Sequence, residues 1–142
     1  MSEPVLRQAT GIAIGGRGVL IEGPPGSGKS SLALALLDRG AVLVGDDGVA
    51  LSMRAGHLWA VPAAATAGLL EIRNVGIVER PFAEAPVCLL LRIDAEAPRF
   101  VEAAANTDIA GFAVPTLALW PESPVLALRA EAALDRFGLP LV

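Results

Sequence analysis

The chain has 142 residues, 54% hydrophobic and 18% charged, with 15 acidic against 11 basic side chains, enough for one domain with a buried core. The net charge of −4, and a single lysine, Lys29, exclude the clustered basic surface of a nucleic-acid binder. The longest apolar runs, Val87–Leu91 and Ile109–Leu119, are short or broken by Gly and Pro, too short for a membrane span. The opening MSEPVLRQAT has neither the basic start nor the apolar stretch of a secretory leader, so a soluble, cytoplasmic protein is expected. The apolar surplus fits either an alanine-rich core or buried subunit contacts.

In chain order, Gly11–Ile14 and Val19–Glu22 read as short strands joined by the turn GGRG. Ser30–Arg39 (SSLALALLDR) has Leu and Ala at helical spacing, with Gly40 as its stop. Ala41–Gly45 reads as a buried strand ending at Asp46, beside the strand that enters the glycine-rich stretch. Strand, loop, helix and strand then form a βαβ unit with a right-handed crossover. Val49–Met53 and His57–Val61 follow as strands around RAGH, then Leu69–Ile72 and Val87–Ile93, with Pro81 and Pro86 marking the loop between. A short helix over Ala95–Ala105 and a C-terminal helix over Pro124–Phe137, ending at Gly138, complete an α/β chain around a mixed sheet. No linker, repeat or low-complexity tract divides it, so residues 1–142 are expected to form one domain. Cys88, the sole cysteine, lies in VCLLL and reads as a buried packing side chain; His57, also alone, has no ligand or triad partner nearby in sequence.

Gly23-Pro24-Pro25-Gly26-Ser27-Gly28-Lys29-Ser30 fits G-x-x-x-x-G-K-[ST] between an apolar strand and a helix, the context of a phosphate-binding P-loop. Glycines let successive backbone N–H groups turn inward toward phosphate oxygens, and the helix start adds its positive end. Lys29 would reach the β- and γ-phosphates of ATP and Ser30 would bind Mg²⁺, with Ser31 next in the nucleotide-binding segment. Asp46 and Asp47 follow at a strand end, where ligands of open α/β sheets sit. One carboxylate there complements Ser30 at the metal; a second can accept the proton of an attacking hydroxyl, which suits a kinase better than a hydrolytic ATPase. The residues alone do not rank Asp46 over Asp47, and an Asp-Asp-Gly turn is compatible with either role. Further on, Glu71 and Arg73 are expected on one face of a strand, where they would finish a metal shell and hold a phosphate. An ordinary surface ion pair would have the same pattern.

Together, GPPGSGKSSLAL, RGAVLVGDD and LLEIRNVGIV resemble, in order and approximate spacing, the HPr kinase/phosphorylase family, whose members phosphorylate a serine of the phosphocarrier HPr. The resemblance runs over roughly residues 8–82 and is similar to the short forms that lack an N-terminal domain. It implies a P-loop kinase domain with Asp46 as acid/base at the serine hydroxyl and Asp47 as a metal- or phosphate-orienting partner. It implies Ser30 and Glu71 as Mg²⁺ ligands, Lys29 and Arg73 on the phosphates, an HPr-like carrier as substrate, and a homo-oligomer, the family being typically hexameric. Three departures stand out: Gln8 where the family has a histidine, Ser31 where an acidic residue is frequent, and Asn74 in place of a signature glycine. TLALWPESPV also occupies the region of the basic C-terminal loop of long members. Glutamine cannot take a proton near neutral pH, so a kinase with weak or absent phosphorylase activity is expected. Two other readings compete: a small-molecule kinase, against which Arg80, Arg92, Arg99, Arg129 and Arg136 look scattered, and a non-catalytic ATP-binding sensor.

Overall fold

The computed structural model describes residues 4–141; residues 1–3, which open the MSEPVLRQAT stretch, and Val142 lie outside the described residues. Strands β1 (Val5–Arg7), β2 (Thr10–Ile14) and β3 (Arg17–Glu22) precede helix α1 (Lys29–Asp38) and strand β4 (Val42–Gly45). Strands β5 (Val49–Arg54), β6 (His57–Pro62), β7 (Leu69–Ile72), β8 (Gly76–Glu79) and β9 (Ala85–Ile93) follow. The chain ends with β10 (Ala105–Ile109), β11 (Phe112–Leu119) and helix α2 (Leu126–Phe137). The fold is α/β: a mixed sheet flanked by helices.

Strand β9 organises the sheet. One of its edges pairs in parallel with β3 over Val87–Arg92; the other pairs with β6 at Ala85–Pro86 and with β11 at Leu90–Ile93. Residues on β9 alternate between two cores. Leu89, Leu91 and Ile93 join Val19 and Ile21 under α1 and α2, while Val87 and Leu90 join Leu20 against Leu51 and Leu58 of the β5–β6 hairpin. A strand buried on both faces reads as a continuous apolar run, which is what PVCLLL is, before the exposed Arg92. Cys88 lies in the helix-side core, and the His57 ring is buried with Nε2 3.0 Å from the Val87 carbonyl. The Arg17 guanidinium secures the end of α2 by donating to the carbonyls of Leu134 (3.1 Å), in its last turn, and Leu139 (2.8 Å), just beyond it, an arginine on the carbonyls at a helix end.

Two expectations are corrected. First, β4 does not lie beside β3. Strand β2 runs between them, antiparallel to each, so β3 and β4 are parallel next-nearest neighbours. The two-residue turn at Gly15–Gly16, both with positive φ, folds β2 directly back against β3 and takes the place that β4 would have had. Second, residues 95–105 form no helix. The Asp94 side chain accepts the Glu96 N–H (2.8 Å) and its carbonyl accepts the Ala97 N–H (3.1 Å), closing a turn, and Pro98 has no N–H to continue a helix. The apolar stretch Ile109–Leu119, given no element from sequence, belongs to a β-hairpin, β10–β11, turning at Ala110 (φ +53°) and Gly111 (φ +84°). Alanine is an uncommon residue at positive φ, so the turn carries a weak signature. The strands β1 and β8 were also unforeseen, and α2 begins two residues later than expected.

Burial pushes the Cys88 thiol up from its ordinary value, with Arg17 and the Gly18 backbone opposing weakly. Native protein should therefore resist iodoacetamide at pH 8 and label fully in denaturant, as followed by intact mass. Rapid native labelling would contradict this placement.

Candidate functional site

Strand β3 leads into Gly23, and the chain curls through residues 24–28 before α1 begins at Lys29. Gly26 (φ +77°) and Gly28 (φ +99°) take backbone angles that side chains disfavour, which turns the loop over the helix start. No side chain caps α1, so its first-turn N–H groups stay available to an anion. The Lys29 ammonium folds back over the loop, donating to the carbonyls of Gly23 (2.8 Å) and Pro24 (3.3 Å).

Facing this loop is a cleft of about 270 Å³ lined by Lys29, Ser30, Asp46, Asp47, Glu71 and Arg73, with Thr10 among the other residues of its wall. Asp46 is only 7% exposed. Its Oδ1 accepts the hydroxyls of Ser30 (2.7 Å) and Thr10 (3.2 Å), and its Oδ2 accepts the Glu71 backbone N–H (3.1 Å). A carboxylate oxygen has two acceptor sites. Oδ1 is therefore filled, and Oδ2 keeps one site for a further donor. Asp47 differs: it is exposed, has φ +58°, and makes no side-chain hydrogen bond among the described residues. The chain doubles back so closely here that a Cβ at Gly45 would collide with the Gly48 carbonyl oxygen.

Glu71 and Arg73 come from the hairpin β7–β8, a two-stranded ribbon outside the main sheet. Such a ribbon is marginal alone. Leu70 is fully buried beneath it, and Gly68 meets the Phe82 ring so closely that a Cβ there would approach it to 2.9 Å. Burying a leucine contributes about 1.5–3 kcal/mol. The two residues do not share a strand face as expected. Arg73 lies in the turn after β7, where Asn74 takes φ +71°. Asparagine tolerates that left-handed angle, which explains how it stands in for glycine. Both Glu71 and Arg73 nevertheless line the cleft.

Gln8 is not part of the cleft wall. It is exposed and lines a separate hollow on the Gly23–Pro24 side of the loop, with Arg7, Glu22 and Arg92. There Glu22 ion-pairs with Arg7 and stands 3.9 Å from Arg92. The residue that sequence reasoning missed is Thr10, buried at the start of β2 with its hydroxyl on Asp46. Its signal was faint: a lone hydroxyl two residues beyond Gln8, between Ala9 and Gly11.

Comparison with known proteins agrees with the layout. Residues 1–83 match the family profile described as the HPr Serine kinase C-terminal domain. The HPr kinase/phosphorylase of Streptococcus thermophilus (strain ATCC BAA-491 / LMD-9) is 49% identical over 69 residues, 48% of this chain and 22% of that protein. That of Clostridium tetani (strain Massachusetts / E88) is 44% identical over 66 residues, 46% of this chain and again 22% of its relative. The matched segment is thus under a quarter of the length of these curated relatives. The solved structure of the Hpr(Ser) kinase/phosphatase from Coxiella burnetii superposes with a TM-score of 0.82 at 26% identity, covering 92% of this chain and 88% of that one.

Thr10→Val keeps the side-chain shape while removing a donor from a buried carboxylate. It should lower unfolding free energy by about 1–3 kcal/mol in urea titrations, and unchanged stability would show the contact to be idle.

Proposed function

The chain belongs to the HPr serine kinase C-terminal domain family, and on that premise we propose that it is an ATP-dependent protein-serine kinase acting on an HPr-like phosphocarrier. The observation that carries this reading is the Ser30–Asp46 hydrogen bond, 2.7 Å, which ties the glycine loop to the first aspartate. In the proposal the loop is a P-loop, and residues 1–142 act as one catalytic domain. Residues 23–31 hold the triphosphate through backbone N–H groups, and Lys29 leaves the Gly23 and Pro24 carbonyls to meet the β- and γ-phosphates.

The acceptor serine oxygen attacks the γ-phosphorus, the bond to the β–γ bridging oxygen breaks, and ADP departs. The serine proton passes to the open site on Asp46 Oδ2. Arg73, on its turn, steadies charge on the transferring group. Bound Mg²⁺ would neutralise charge on the β- and γ-phosphate oxygens. The groups suited to hold it are the Ser30 hydroxyl oxygen, whose proton is donated in a hydrogen bond to Asp46, with Asp47 and Glu71 at the cleft wall. No group of three acidic, His or Cys side chains among the described residues is close enough to hold a metal by itself. That fits Mg²⁺, which keeps waters and phosphate oxygens in its shell and takes only one or two carboxylates.

Exposed apolar side chains at Val75, Ile77 and Phe82, near the cleft's hairpin, support contact with a carrier or with further copies of the chain in a homo-oligomer. No helix among the described residues is long and apolar enough to cross a membrane. Gln8, a side chain that cannot take a proton near neutral pH, is what supports phosphorylase activity that is weak or absent; its place outside the cleft adds nothing to that reading.

The test is intact-mass spectrometry of an HPr-like carrier incubated with the protein, Mg²⁺ and ATP. One phosphoryl group should be gained, with the rate reduced about 10²–10⁴-fold in Asp46→Asn and abolished in Lys29→Ala. No gain with ATP still bound would overturn the kinase reading. In the reverse direction, phosphate added to the phosphorylated carrier should release pyrophosphate slowly or not at all; rapid release would contradict the reading of weak or absent phosphorylase activity.

A further inference from the structure

Arginines that looked scattered along the C-terminal half meet in space. Arg99, from the loop after β9, and Arg129 and Arg136, from α2, line one groove of about 700 Å³ together with Phe100, Trp120 and Phe137. Positions 129, 132, 133, 136 and 137 recur at helical spacing, so one face of α2 forms a wall. No residue is shared between this groove and the cleft at the glycine loop.

Charge sets the groove apart. The chain carries an excess of acidic groups, yet no Asp or Glu lines it. Elsewhere, Arg7 and Arg92 face Glu22, Arg39 faces Glu131 and Arg54 faces Glu84. Arg99, Arg129 and Arg136 form no ion pair among the described residues. Three guanidinium groups without a carboxylate partner thus line one hollow, Arg136 standing 4.9 Å over the Phe137 ring, and an entering anion would find positive charge on more than one side. Phe100 is 75% exposed and Trp120 43% exposed, two large rings that line the groove and present part of their surface to solvent. The groove falls within the roughly 300–1,000 Å³ typical of small-molecule sites, whose walls are apolar with a few orienting polar groups.

We propose that this groove is a second binding site, for a small planar organic anion: an aromatic ring bearing a phosphate or carboxylate. Guanidinium groups take such oxyanions in bidentate geometry, and the exposed rings stack on the planar body. The site is independent of the kinase reading, because it uses none of the glycine-loop residues.

Trp120 is a built-in reporter. In a Trp59→Phe protein it is the remaining tryptophan, and phenyl phosphate and benzoate are the probes. Each probe should change its fluorescence saturably, by binding that phenol and inorganic phosphate reproduce only about tenfold or more weakly. Arg129→Gln, an exposed change, and the double variant Arg129→Ala/Arg136→Ala should each weaken binding, the double variant by about tenfold or more. Lys29→Ala should leave it unchanged. A response to one probe and not the other assigns the oxyanion as phosphate or carboxylate. No saturable response to either, equal affinity in the arginine variants, or loss of binding in Lys29→Ala would overturn the proposal.

Discussion

The Asp46 carboxylate is the constraint on which the cleft depends. Three donors reach it from segments far apart in the chain: Thr10 at the head of β2, Ser30 in the first turn of α1, and the Glu71 backbone in β7. It is nearly buried, and a buried carboxylate without partners would be costly. The same three contacts fix the spacing between glycine loop, strand end and hairpin. The hairpin depends on the contact through the Glu71 N–H, since β7 and β8 pair as strands with each other and this bond adds to the packing of Leu70 and of Gly68 on Phe82.

The sheet order explains why Thr10 is one of the three. Parallel strands β3 and β4 both end on the cleft side, separated by β2, hence by roughly 10 Å at ordinary strand spacing. Because β2 is antiparallel to both, its first residue is the one that arrives at that end. Thr10 therefore stands between the glycine loop and the aspartates and bridges a gap that adjacent strands would not have left. Asp47, one residue further, escapes this network; its left-handed backbone and exposed side chain leave it free to meet whatever enters the cleft.

Much of this was legible in the residues. The glycine loop, the helix after it and the strand ending at Asp46 follow from local pattern, because each rests on a short motif with few conformational alternatives. The grouping of Glu71 and Arg73 with the aspartates came from the resemblance to the family, since their own pattern fits a surface ion pair equally well. Non-local matters were less readable. That β2 intervenes between β3 and β4 depends on which of two strands wins an edge, and nothing within either strand declares it. The β10–β11 hairpin was hidden by Ala110 at a turn position and by Pro115 within β11, both of which weaken the usual strand and turn signals. The expected helix after β9 was lost to one aspartate turn and Pro98. The grouping of Arg99, Arg129 and Arg136 needed tertiary structure altogether, since the loop and helix that carry them are separated by a whole hairpin.

The most direct measurement is amide hydrogen exchange at Glu71 in the wild-type protein and in Asp46→Ala, read by NMR. If Asp46 holds the hairpin to the loop, the Glu71 amide should be protected in the wild type. It should exchange about tenfold faster or more in the variant, while amides of β9 keep their protection. Equal protection of Glu71 in both proteins would contradict the account, because the hairpin would then be held without the carboxylate around which the cleft is built.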